Sequence, residues 1–197
     1  MWYLPTILSA AGFSTGDALL LNVITGFVSA VGSLLGLYLV ARFARRHVGM
    51  AQEFGVSVAL FILAGLFAFG IEPHMAADGT VASTVPVMIP WLVLVVISLF
   101  VFTKQAGTVT WVLLAEIFPA KIRGAAQGVS VGALWTFNGI VALVFPTMMS
   151  TLGGSKTYLI FALVNVVAFL FYWKIVPETQ GKSLEQFEVE YRARHGE

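Results

Sequence analysis

The chain has 197 residues, 58% of them hydrophobic and 11% charged, with no cysteine and a formal net charge of +1. Soluble domains carry about a quarter charged residues, so a mean hydropathy of +0.90 points to a bilayer as the solvent. The lack of cysteine excludes disulfides and thiolate metal sites, and charges gathered at segment junctions rather than on one basic face exclude a nucleic-acid surface.

In chain order, Met1 to Ala11 is apolar but lacks the positive start and the cleavage site of a secretory signal. Eleven helical residues rise about 16 Å, half of a ~30 Å hydrocarbon core. This opening therefore reads as the trailing part of a longer helix, and the chain as a fragment of a larger protein. Five longer apolar runs follow, at about 18–40, 54–71, 89–114, 125–149 and 158–176, each near the ~20 residues that a span needs. Helices are expected because lipid offers no partner to an unpaired backbone group, and the alternation of a membrane-barrel strand is missing. The expected fold class is all-α, a polytopic membrane helical bundle of about five full spans plus the partial helix over 1–11. It occupies residues 1–176 and is followed by a charged, amphipathic tail over 177–197 that reads as a solvated cytoplasmic helix.

The junctions set the orientation. "ARFARRHVGM" carries Arg42, Arg45 and Arg46, whereas the next junction, "EPHMAADGTVASTVP", carries no Lys or Arg. "AEIFPAKIRG" has Lys121 and Arg123, "STLGGSKT" has Lys156 alone, and Lys174, Lys182, Arg192 and Arg194 mark the end of the chain. Basic residues thus favour every second junction and the tail, which the positive-inside rule places in the cytoplasm. A multi-pass protein of the cell (plasma) membrane with a cytoplasmic C-terminus is expected.

Small residues recur within the runs, at Gly26, Ser29, Gly32, Ser33 and Gly36 and at Gly124, Gly128 and Gly132. Spacing of four lets helix backbones approach closely in lipid, for static packing or for helices that slide during transport. Trp91, Tyr158 and Trp173 fall near run ends and read as interfacial anchors. There is no Ser/His/Asp arrangement, no HExxH and no phosphate-cradling glycine loop, so no enzyme is expected. His47, His74 and His195 are too scattered for a metal site, and no cofactor is expected.

The chemistry concentrates in "TWVLLAEIFPAKIRGAAQG", Thr110 to Gly128. Pro119 has no N–H and biases Phe118 away from helix, so the span ends there and Glu116 lies in its last turn. A carboxylate there opposes the helix dipole unless cations compensate. Arg123 and the Arg42/Arg45/Arg46 cluster are the cations on the same membrane side. The pair suits a latch, strong when dehydrated and weak when wetted; the plainer reading is a positive-inside anchor with a surface ion pair. Of the acids, Glu116 alone is expected to lie close to a long apolar run and a conspicuous basic partner.

These motifs resemble the sugar porter family of the major facilitator superfamily. "AEIFPAKIRG" is similar to the family signature after the tenth helix, "ARFARR" to its R-x-G-R-R junction between helices eight and nine, and "VPETQGKSLEQFE" to the stretch after helix twelve. "WYLPTIL", from Trp2, resembles part of helix seven. The resemblance covers essentially the whole chain, but only the C-terminal half of a twelve-helix transporter, with helices one to six and the front of helix seven missing.

The resemblance implies a gate of Glu116 and Arg123, with Arg45 or Arg46 as cross-helix partners, Arg42 beside them, and Glu178 as a further acid. It implies that Trp111 lines the central cavity, that Trp135 and Asn138 contact substrate from helix eleven, and that Ser29 stands at a helix-eight asparagine position. Aromatic faces suit the apolar face of a sugar, and an amide offers a donor and an acceptor to hydroxyls. The chain departs from the pattern at Ala41 and Ala44, where the family has an acid and a glycine, at Thr108 and Thr110, where it has prolines, and at Leu134, where it has asparagine. Lys104 falls inside the third run, where a charge is costly and usually faces a cavity, although a long stem can also snorkel to the surface.

The implied function is alternating-access transport, secondary active or facilitative, of a monosaccharide or an inositol-like polyol, with protons as the coupling ion and the lipid bilayer and the missing half as partners. Three other readings stay open: an inert truncated remnant, a sugar sensor of the same fold, and a carrier of organic or aromatic acids with Lys104 as the anion partner.

Overall fold

The computed structural model describes residues 4–11, 13–75, 85–86, 88–116, 118 and 122–178. Helix α1 runs over Leu4–Ala10 and α2 over Thr15–Arg42. Ser14 caps α2 by accepting the Asp17 N–H, with Asp17 in its first turn and Arg42 in its last, both favourable for the helix dipole. Phe43 and Ala44 then turn the chain straight into α3, Arg45–Leu66. Hydropathy set the start of this run at 54, nine residues late, because "RRHVGMAQE" is polar yet helix-forming. Arg45 and Arg46 therefore sit in the first turn of a helix and not in a loop. Beyond Leu66 the helix widens into a π turn, Phe67–Ile71, and closes with a 3-10 turn, Glu72–His74.

The third run is two helices, α4 over Met88–Ala106 and α5 over Val109–Glu116. They part at Gly107, whose missing side chain leaves the place that Gln52 of α3 fills. Helix α6 extends over Arg123–Lys174, 52 residues that would reach about 78 Å if straight. Gly153, at φ 81° and ψ 169°, breaks it into two arms, 123–152 and 154–174, which correspond to the last two apolar runs. A side chain is strained in that conformation, so the reversal depends on glycine.

Two seams hold the bundle. Along the first, Tyr172 covers Gly49, Phe54 meets Phe169 with ring centres 6.3 Å apart, and Phe67 meets Tyr158 at 5.1 Å. Contacts rising on α3 while falling on the second arm of α6 make the pair antiparallel. Each N-terminus of the pair is capped by a carboxylate from the far end of the other helix. Glu72 accepts the Ser155 N–H at 2.8 Å and its hydroxyl at 2.7 Å, and Glu178 accepts the Arg45 and Arg46 N–H groups at 2.9 and 3.1 Å. Along the second seam Gly32 and Gly36 of α2 lie against the α4 backbone. A Cβ at either would come within 2.9 Å of the Phe102 carbonyl oxygen or 2.8 Å of the Gln105 carbonyl oxygen. This is close helix approach through small residues, the packing that lipid favours.

The larger core gathers Leu8, Leu21, Leu63, Ile71, Val93 and Tyr158; a smaller one at the basic end holds Val40, Val48, Val109, Leu113 and Val176. Tyr158 is 4% exposed, a core residue and not the interfacial anchor expected of it; the bend at Gly153 turns it inward onto Phe67 and Phe145. Trp91 and Trp173 are exposed. The first arm of α6 is largely bare, with Trp135, Phe137 and Leu143 exposed and Phe145 and Met149 packed on the core. Among the described residues four helices are long and apolar enough to cross a membrane, the 52-residue one among them.

Candidate functional site

The basic end is built around the first turn of α3. Because only two residues separate α2 from α3, Arg45 projects from a fixed helical position, and its Nη2 lies 2.7 Å from Glu116 Oε1 at the end of α5. The side chains are 19% and 25% exposed, so the pair is partly desolvated and stronger than a surface bridge. It also offsets the carboxylate's poor position at a helix C-terminus. Arg46 is used differently: its guanidinium donates to the Tyr172 and Trp173 carbonyl oxygens at the end of α6. Arg42 is exposed and lies 5.9 Å from the Tyr38 ring centre. Glu178, expected as a further acid of the gate, lends its carboxylate to the α3 N-terminus, and so holds the backbone of the two arginines.

The structure places Arg123 at the start of α6, donating to the Phe118 carbonyl oxygen at 3.2 Å, while Gln127 donates to the Leu114 carbonyl oxygen at 3.1 Å. The second ties the end of α5 to the first arm of α6. Pro119, Lys121, Trp2 and the tail from 179 on, with His195, lie outside the described residues.

Trp111 stands on α5 five residues before Glu116, about 8 Å along the axis, and is half exposed. Trp135 and Asn138, three residues apart on the first arm of α6, share one helix face and are both exposed. Ser29 is half-buried, and its hydroxyl accepts a hydrogen bond from Gln105 Nε2 at 2.9 Å. Lys104 is exposed with its Nζ 5.9 Å from the Phe100 ring centre.

Gln105 was missed because only the glycine seam brings it to α2, 76 residues from Ser29 in sequence. The bond between the Thr110 and Tyr172 hydroxyls, 3.0 Å, was half legible in that Thr110 stands where a proline is usual. Among the described residues there is no group of three or more potential metal ligands.

The family model for "Sugar (and other) transporter" matches residues 1–191. The major myo-inositol transporter IolT of Bacillus subtilis is 35% identical over 98% of this chain and 38% of its own length. The D-xylose-proton symporter of Escherichia coli is 32% identical over 96% of this chain and 37% of its own length. A structure of the proton:xylose symporter XylE bound to 6-bromo-6-deoxy-D-glucose superposes with a TM-score of 0.76 at 30% identity, over 96% of this chain and 38% of that one. The chain thus spans about two fifths of the length of the curated relatives it matches.

Proposed function

The chain belongs to the sugar porter family of the major facilitator superfamily, and we propose that it forms the C-terminal half-bundle of a plasma-membrane carrier for a monosaccharide or an inositol-like polyol. An N-terminal six-helix half completes the cavity, and substrate crosses as the two halves rock about a site near the bilayer midplane. Trp111, Trp135 and Asn138 supply the substrate contacts of this half, with aromatic faces for the sugar's C–H surface and an amide for its hydroxyls. The basic end faces the cytoplasm.

The observation that carries this reading is the Arg45–Glu116 ion pair, whose carboxylate stands on the same short helix as Trp111. Closed and partly dehydrated, the pair holds α5 against α3 and seals the cytoplasmic side, favouring the outward-facing state. Opening admits water, weakens the pair and frees the helix that touches substrate. Two of the relatives carry myo-inositol or couple D-xylose to protons, which supports the substrate class and proton symport.

The test is uptake of labelled myo-inositol, D-xylose, D-glucose and an aromatic acid by the assembled transporter, with and without an uncoupler. Accumulation of a sugar or polyol that the uncoupler abolishes is expected. Uptake of the acid alone refutes the substrate class, and accumulation indifferent to the uncoupler refutes the coupling.

A further inference from the structure

Helix α4 packs on both α2 and α3, whereas α2 and α3 barely meet beyond their shared turn. The gap between them, at the basic end, is an apolar groove of about 400 Å³. Leu35, Leu39 and Phe43 form one wall, Val48 and Ala51 the other, and Phe102 with Ala106 the floor. From Leu35 to Phe43 the groove follows α2 for about 12 Å. That is close to the ~15 Å which half of a ~30 Å hydrocarbon core allows to one lipid chain.

Three polar side chains also line it. Thr103 turns its hydroxyl back to the Leu99 carbonyl oxygen at 2.8 Å, and Gln52 fills the place beside Gly107. His47, in the first turn of α3, is the exposed one of the three. Arg42 lies two helical turns from Leu35, so it continues the same face of α2 past the groove. It is exposed, its guanidinium 5.9 Å from the Tyr38 ring centre, and among the described residues it forms no ion pair. No acid lines the groove. Nearby, Glu116 is engaged by Arg45 and Glu178 by the start of α3. The mouth therefore carries positive charge that no neighbouring carboxylate offsets.

Lipid tails are as apolar as the groove walls, so the walls do not choose between lipids, but the mouth does. A phosphodiester offers oxygens to a guanidinium fork and to an imidazole N–H. A headgroup without an ammonium leaves that attraction uncancelled.

We propose that the groove holds one acyl chain of an anionic phospholipid from the leaflet at the basic end, with its phosphate on Arg42 and His47. The lipid wedges α2 against α3 beside the turn that carries Arg45. The site goes beyond the transport reading and is the same whichever solute is carried.

The test is native mass spectrometry of the assembled transporter, purified and supplied with equal phosphatidylglycerol and phosphatidylcholine. The wild type is expected to retain one phosphatidylglycerol in preference to phosphatidylcholine. Ala51→Trp, which fills the groove from an exposed position, loses the bound lipid. Arg42→Gln lowers the preference about fivefold, the worth of one interfacial charge. If Ala51→Trp fails to fold, wild type irradiated with a phosphatidylglycerol bearing a mid-chain diazirine decides the matter. Adducts are then expected on residues 35–52 and 102–107, and unlabelled phosphatidylglycerol, not phosphatidylcholine, competes them away. Equal retention of the two lipids overturns the site, as does retention indifferent to Ala51→Trp. Adducts spread evenly over the bare arm of α6, or a groove without adducts because another part of the protein covers it, overturn it as well.

Discussion

Replacing Glu178 by Gln separates stability from gating. The carboxylate accepts two N–H groups, from Arg45 and Arg46, at the start of α3; the amide keeps one acceptor oxygen and loses the charge. A charge at a helix N-terminus contributes roughly 0.3–1 kcal/mol, and a hydrogen bond to a charged group about 1.5–3 kcal/mol, so the combined loss is about 2 kcal/mol. For a chain of this size that lowers the thermal midpoint by roughly 4–8 °C. Glu72→Gln is the matched control, because it removes the same kind of cap from Ser155 at the other end of the same helix pair. The two variants are expected to lose similar stability in detergent. Only Glu178→Gln is expected to slow uptake beyond its loss of folded protein, because of the two only Glu178 positions the backbone of Arg45, the cation of the proposed gate. Midpoints within about 1 °C of wild type refute the capping argument; equal uptake per folded molecule in both variants refutes the link to the gate.

A double-mutant cycle on Arg45→Ala and Glu116→Ala is expected to give a coupling of about 1–2 kcal/mol in the inward–outward equilibrium, read by thiol accessibility on each side; additivity within ~0.5 kcal/mol speaks against the latch. Gly153→Ala costs about 1–3 kcal/mol of thermal stability through its positive φ. A Cβ there comes 2.8 Å from Glu72 Oε1, so its effect is less than additive with Glu72→Gln. Gly36→Val forces α2 away from Gln105 and Thr108 and is expected to cost about 1–3 kcal/mol, whereas Gly26→Ala, with open space around its Cβ, leaves the thermal midpoint unchanged. Tyr172→Phe removes the 3.0 Å bond to Thr110 and shifts the same equilibrium toward the open gate by about fivefold, the worth of one neutral hydrogen bond.

The apolar runs were legible because hydropathy reports what lipid tolerates, but hydropathy does not report where a helix starts. That is why α3 was begun at 54 when its polar first turns carry Arg45 and Arg46. The break at Gly107 was hidden inside a continuous apolar run, since its cause, Gln52, lies on another helix. The hinge motif named Glu116 and a cluster of three arginines, yet only the two-residue turn at Phe43–Ala44 gives each arginine its own task, at Glu116 for Arg45, at the α6 carbonyls for Arg46 and over Tyr38 for Arg42. Ser29 was read as a substrate contact without its partner, because a side chain's neighbour across a seam has no trace in local sequence.

The break also divides the third span by how firmly each part is held. Above it, α4 is pressed against α2 through glycines and carries six buried side chains, Val93 to Ala106. Burial of that kind is not undone by water. Below it, α5 buries Val109 and Leu113, and is otherwise fastened by polar ties: Arg45 to Glu116, Tyr172 to Thr110, and Gln127 to the Leu114 carbonyl. Water can replace each of these, for about 1 kcal/mol apiece where the groups are neutral. A short helix so fastened can detach when its end is wetted while the seam above stays shut. Trp111 and Glu116 share that helix, so a substrate held at the tryptophan as proposed and water reaching the carboxylate would act on the same eight residues.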